Sequence, residues 1–301
     1  MNVDKKNGNV CFSEKEHVYF DENDESKQYI SVTTLIHSFT QPFDEEFWSA
    51  YKALEKLLSK EDWQIEKKQL NATHKFDKEI LKTHNISELD FNKAQQAILD
   101  EWQQNKDEAC TRGTKIHAEI ENSFYKAGKN VNVEKFGLGG QFECRKDYSD
   151  LDIQYGVYPE YLIYSESNDG ILRLAGQIDL IIKNGNEIVL VDHKTNKEIK
   201  QKGGFNTNTK STSKMKYPLN NLEDCNFYHY TMQLSTYAWM LQKLNPNFII
   251  KDLILNHYDH NGNNTLYHCD YLKDEVERML KFYKKQLIID KRKQDNKPIE
   301  Y

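Results

Sequence analysis

Asp179 interrupts one apolar run, LAGQIDLIIK, and Asp192 and Lys194 close the next, EIVLVDHKT. Alternate side chains of an extended chain share a face, so Asp192 and Lys194 project to the same side. The intervening Asn-Gly-Asn is a tight-turn sequence that would lay the two runs alongside each other as a hairpin. Two carboxylates brought together in this way could share a divalent cation. Hard oxygen ligands favour magnesium or manganese, and such an ion neutralises phosphate charge and lowers the pKa of a bound water. Lys194 would then orient that water or stabilise the charge that develops. The pattern alone is weak, because 41 lysines and arginines and 47 aspartates and glutamates stand among 301 residues. A carboxylate beside a lysine at a strand end is commonly a solvated ion pair.

Two further pairs sharpen the reading. His117 and Glu121 lie four apart in RGTKIHAEIE, and Gln233 and Tyr237 have the same spacing in QLSTYAWML, which places each pair on one helix face. The succession Gly-Thr-x-x-His, Gly-x-x-Asp, Asp-x-Lys-Thr and Gln-x-x-x-Tyr resembles the RecB-like exonuclease branch of the PD-(D/E)XK nuclease superfamily. SVTTLI, Trp102 and RGTKIHAEIE ahead of it are similar to the layout of phage exonucleases and of mitochondrial genome maintenance exonuclease. The resemblance implies His117, Asp179 and Asp192 as metal ligands together with the backbone carbonyl of His193, and Lys194 as the catalytic lysine. It also implies that Gln233 and Tyr237 orient the lysine or contact phosphate, and that Glu160, in VYPEYLIY, joins the site through water. One or two magnesium or manganese ions are expected. Some members of the branch carry four cysteines for an iron–sulfur cluster; Cys11, Cys110, Cys144, Cys225 and Cys269 are scattered without a Cys-x-x-Cys pair, so that cofactor is not expected.

The elements that must position these residues can be read around them. Short strands are expected in the first thirty residues, around the acidic DENDESK, followed by a capped turn or short helix at SVTTLIHSF. From Asp44 to about Lys126 the apolar residues recur at helical spacing. YGVYPEYLIYS, ILRLAGQIDLIIK and EIVLVDHKT are successive strand candidates. A helix should begin near Asp224, followed by strands at FIIKDLILNHYD and NTLYHCDYL and a final amphipathic helix. The expected fold is α/β, a restriction-endonuclease-like core with a central mixed sheet flanked by helices and an N-terminal helical elaboration. The expected division is a strand hairpin and helical region over 1–110 and the nuclease core over 111–301.

Residues 196–217 are polar and basic and read as a long mobile loop. Lys197, Lys200, Lys210, Lys214 and Lys216 within it could track a nucleic-acid backbone, although a charge run is ordinarily a solvated face. His193 alternates away from the acidic face, so only its backbone is a candidate. Glu121 is as readily a surface carboxylate as a site residue. About eighty helical residues before the core could arch over the strand tips and admit a threaded end, with Trp48, Trp63 or Trp102 stacking on unpaired bases unless they simply pack helices.

A net charge of −6 gives no global attraction to nucleic acid, so a phosphate partner must be held by metal or by local basic patches. The N-terminal residues lack a signal-peptide run, no apolar stretch is long enough to span a bilayer, and five dispersed thiols suit a reducing compartment; a cytoplasmic protein without a membrane partner is expected. The expected activity is metal-dependent DNA cleavage, exonucleolytic on single-stranded or free ends, in phage-type replication, recombination or genome processing and alongside proteins of those processes. The alternatives are a catalytically silent nucleic-acid-binding or assembly protein with the same fold and a sequence-specific restriction endonuclease. The intact Asp179, Asp192 and Lys194 weigh against the first, and the His and Gln-x-x-x-Tyr elements against the second.

Overall fold

The computed structural model describes residues 3–145, 155–206 and 210–295. The chain divides into two compact units, one formed by Met1–Thr40, Lys115–Gly203 and Lys214–Tyr301, the other by Gln41–Thr114 and Gly204–Ser213.

The first unit opens with four short strands, β1 (Lys5–Asn7), β2 (Val10–Ser13), β3 (Val18–Asp21) and β4 (Asp24–Ser31), paired in sequence as an antiparallel meander. Ser31 ends β4 and caps helix α1 (Val32–His37), accepting a hydrogen bond from the Thr34 N–H at 3.0 Å; a hydroxyl at this position satisfies an amide that the first helical turn leaves unpaired. The second unit contains α2 (Glu45–Leu57), α3 (Lys60–Thr73), α4 (Glu79–Thr83) and the first part of α5 (Glu88–Ala127), whose last turns belong to the first unit. Phe47, Tyr51, Leu54, Trp63, Leu70, Leu81 and Phe91 make a core of its own. Trp63 is buried there edge-on to Tyr51, and Trp48 packs against Phe47 and Tyr51, so both serve helix packing.

After α5 come the two-residue strands β5 (Val131–Asn132) and β6 (Gln141–Phe142), then the long strands β7 (Tyr155–Glu166), β8 (Arg173–Asn184) and β9 (Glu187–Lys194). β8 and β9 are antiparallel, with Asn184 opposite Glu187, and the turn between them is Gly185-Asn186, with Gly185 at φ +61°. This is the hairpin expected from Asn-Gly-Asn. The basic segment 196–217 contains a small ladder, β10 (Phe205–Asn206) with β11 (Ser211–Thr212), and a buried Met215, where the sequence reading has only loop. Helix α6 (Asn226–Leu244), strands β12 (Ile249–Tyr258) and β13 (Asn264–Cys269), and helix α7 (Lys273–Asp295) complete the chain. β12 runs parallel to β9 and antiparallel to β13, so the sheet is mixed.

Alternation along β9 explains how the sheet is buried on both sides. Ile188 and Leu190 join a core with Leu35, Met232, Tyr237 and Met279, on the face covered by α1, α6 and α7. Val189 and Val191 join another with Phe124, Val133, Phe136 and Phe142, from the end of α5 and the β5–β6 region. Strands enclosed on both faces must be apolar throughout, which is why β8 and β9 read as apolar runs. Continuing the alternation, Asp192 and Lys194 fall on the α6 face and His193 on the opposite one.

Candidate active site

The site lies where β8 loses its neighbours. Along one edge of β8, β4 pairs only at Leu174 and Ala175, and β9 pairs only from Leu180 to Asn184; among the described residues the edge between is left without a ladder. Asp179 stands in that gap, and its Oδ2 accepts the His193 N–H at 2.6 Å. The carboxylate thus receives a backbone donor that the diverging strands leave free. On the other edge, β7 and β8 keep one register throughout, yet Glu160 and Asp179, which it sets opposite each other, form no ladder pair. Glu160 has φ +50°, a conformation that costs a non-glycine residue of order 1–3 kcal/mol and recurs where backbone is held for function. The irregularity shifts the alternation by one: Tyr158 and Tyr161, three apart, enter the same core.

His117, on α5, completes a group of three. Its Nδ1 lies 3.5 Å from Glu160 Oε1 and 3.6 Å from Asp179 Oδ2, while its Nε2–H donates to the His193 carbonyl at 2.9 Å. The His193 carbonyl, a candidate metal ligand by resemblance, is therefore engaged by His117 here. Burial would lower the pKa of His117, but its bond to Glu160 and the charge of Asp179 outweigh that and raise it to about 9. Burial, then the charge of Asp192, pushes Asp179 up to about 7. Burial acts against Glu160 as a carboxylate, but His117 and Lys5 hold it below its ordinary value.

Asp192 is 2% exposed at the end of β9, with the Lys194 ammonium 2.9 Å from Oδ1 and 2.7 Å from Oδ2. Among the described residues the Oδ2 atom makes no well-aligned hydrogen bond, and the Lys194 ammonium is its ion-pair partner. Gln233 Nε2 donates to Asp192 Oδ1 at 3.2 Å. Burial acts against the Lys194 ammonium, but Asp192 and then Asp179 hold its pKa above the usual lysine range. Tyr237, one helical turn after Gln233, is closed off: a Cβ on Gly176 would lie 2.7 Å from its ring and hydroxyl. The glycine of Gly-x-x-Asp thereby lets α6 approach β8 closely enough for Gln233 to reach Asp192.

Four neighbours carried no sequence signal strong enough to single them out. Tyr230 presents its ring 4.5 Å from the Lys194 ammonium and donates its hydroxyl to Asn196 at 2.7 Å; its place three residues before Gln233 is the one clue. Gln177 and Lys5 both donate to Glu160 Oε2, each at 3.3 Å. Asn256, paired with His193 across β9 and β12, donates to His193 Nδ1 at 3.0 Å. Burial above all pushes the His193 imidazole down to about 3, leaving it neutral. Glu121 accepts a bond from Tyr125 and lies outside the His117 group. Lys197, Lys200, Lys214 and Lys216 are exposed; Lys200 pairs with Glu198 and Lys214 with Glu223. Lys210, also exposed, belongs to the other unit.

The donor chemistry suits a hard divalent cation. His117, Glu160 and Asp179 each offer a ligand atom, all within 4.8 Å of one another. Asp192 adds a buried carboxylate oxygen that has no aligned donor among the described residues. The imidazole of His117 would ligate in its neutral form, which makes occupancy proton-linked.

A model of the PD-(D/E)XK nuclease superfamily matches residues 34–287, and the chain belongs to that superfamily. Its mixed sheet flanked by helices is the fold so defined. Similar solved structures include SSO0001, at 20% identity over 48% of this chain and 53% of that one with a TM-score of 0.27. A candidate exonuclease from Eubacterium rectale is 9% identical over 92% of this chain and 91% of that one, with a TM-score of 0.33. The match to SSO0001 thus spans about half of that protein's length. No curated protein matches the sequence.

Proposed function

We propose that this chain is a magnesium- or manganese-dependent deoxyribonuclease of the RecB-like branch, acting as an exonuclease on single-stranded ends. The observation that carries the reading is the convergence of Glu160, Asp179 and His117 within 4.8 Å, with the Asp192–Lys194 pair beside them. Carboxylates crowded in this way repel one another unless a cation joins them.

A divalent ion bound there would lower the pKa of a water and offset phosphate charge. The residues of the chain supply the rest. Lys194, charged and 17% exposed, places an ammonium where an attacking water or the charge developing on phosphate can be met. Gln233 holds Asp192 from the helix side, and the Tyr230 ring fixes the lysine from another, so its ammonium starts the reaction already oriented. His117 ties α5 to the β9 backbone through the His193 carbonyl and directs Nδ1 toward the carboxylates.

The test is cleavage of labelled single-stranded and duplex DNA and of RNA of one sequence by the purified protein. Magnesium and manganese should support cleavage; calcium, with longer and looser coordination, should support binding only. Full activity in excess chelator, or cleavage of RNA alone, would contradict the reading.

A further inference from the structure

Glu160 is met by a lysine from 155 positions away in the sequence: Lys5 Nζ lies 3.3 Å from its Oε2. The approach follows from how β1 is seated. Lys5 and Asn7, two apart, face β7, while Lys6 between them turns away to Glu22. Asn7 Nδ2 donates to the Leu162 carbonyl at 2.8 Å and reaches the Tyr161 hydroxyl at 3.3 Å. The two-residue step on β1 thus matches the two-residue step from Glu160 to Leu162. Val10, Phe12, Tyr19 and Tyr29 of the same meander pack with Leu162 and Ala175, so the position of Lys5 is set by a packed core. Its side chain is 27% exposed, against 14% for Glu160, so solvent reaches the lysine of this pair more than the carboxylate.

Lys5 is not the sole partner of Glu160: His117 Nδ1 stands by its other oxygen and Gln177 donates to the same one. The charge of the loaded site shows what the lysine adds. With one divalent cation bound, Glu160, Asp179 and Asp192 ionised and His117 neutral as a ligand, the cation and Lys194 would cancel the three carboxylate charges. Lys5 then leaves the site with one positive charge in excess, matching one phosphodiester.

We propose that Lys5 is a substrate-binding residue that takes a backbone phosphate of the nucleic acid when a cation engages Glu160. The inference rests on the nuclease reading above for the nature of the substrate. Its test is binding of a fluorescent single-stranded DNA oligonucleotide in calcium, followed as a function of salt. A lysine on a phosphate contributes to the salt slope by counterion release, whereas a lysine that only supports Glu160 does not. Lys5→Met and Lys5→Gln should each weaken binding and flatten the plot of log affinity against log salt by about 0.7; Lys5→Arg should keep the wild-type slope. Either neutral variant suffices if the other does not fold. Wild-type cleavage of the same oligonucleotide in magnesium is measured alongside. Wild type that binds and cuts, with a slope the neutral variants leave unchanged, overturns the role of Lys5 alone. Wild type that binds without cutting, with the slope lowered in the variants, supports Lys5 and contradicts the nuclease reading, and failure of wild type to bind overturns both.

Discussion

Three residues of the site have shifted proton affinities whose effect on stability can be measured without substrate. His117 titrates near 9 and Asp179 near 7, both above their unfolded values. A raised histidine contributes stability that is complete below about pH 6.5 and is lost as pH climbs toward 9. A raised carboxyl has the same sign in a lower window, because the folded state binds the extra proton between about pH 4 and 7. His193, lowered to about 3, acts oppositely but is complete by about pH 6.5. In chelator, thermal stability should therefore fall between about pH 6.5 and 9. His117→Asn should flatten that slope; a melting profile in which the variant keeps the full slope would remove His117 as its source. A divalent ion competes with these protons, so calorimetry should find magnesium affinity rising across the same window, with protons released on binding. Affinity that is level with pH would place the ion elsewhere.

At the scale of elements, the contact between β8 and α6 decides whether Gln233 reaches Asp192. Gly176→Ala puts a methyl group where the Tyr237 ring stands, and overpacking of this kind costs about 1–3 kcal/mol. Thermal melts should show the loss, and a cycle with Tyr237→Leu should make the double variant less destabilised than the sum of the singles. Additive losses would mean that the two residues do not collide. The same contact separates what could be read in the sequence from what could not. Alternation placed Asp192 and Lys194 on one face, Asn-Gly-Asn marked the β8–β9 hairpin, and helical spacing put Gln233 and Tyr237 on one side of α6, because each is a local geometric rule. No local rule tells whether Tyr237 opens onto the cleft or packs on a glycine sixty-one residues earlier; the structure packs it. Glu160 was legible only through family resemblance, since its left-handed backbone breaks the alternation that locates its neighbours. Lys5 was not legible at all, because 155 residues separate it from Glu160. The polarity of 196–217 concealed the β10–β11 ladder, which the structure builds from only two residues on each side.

For the whole molecule, the proposed exonuclease mode requires a free end. Linear single strands should then be degraded faster than circular ones of the same sequence, with release of mononucleotides or short oligonucleotides; equal rates on both would indicate an endonuclease. Trp102 of the helical unit, half-buried, packs edge-on against the exposed Phe43. The central claim, that the convergence of strand-end carboxylates and Lys194 is a phosphodiesterase site, is tested most directly by single-turnover cleavage of a linear DNA strand in magnesium by wild type, Asp192→Asn and Lys194→Ala. Calcium-supported binding and melting of each variant verify that it is folded. The account predicts wild-type cleavage and losses of roughly 100-fold or more in each folded variant, about 3 kcal/mol of transition-state stabilisation; cleavage at near wild-type rates by either folded variant would contradict it.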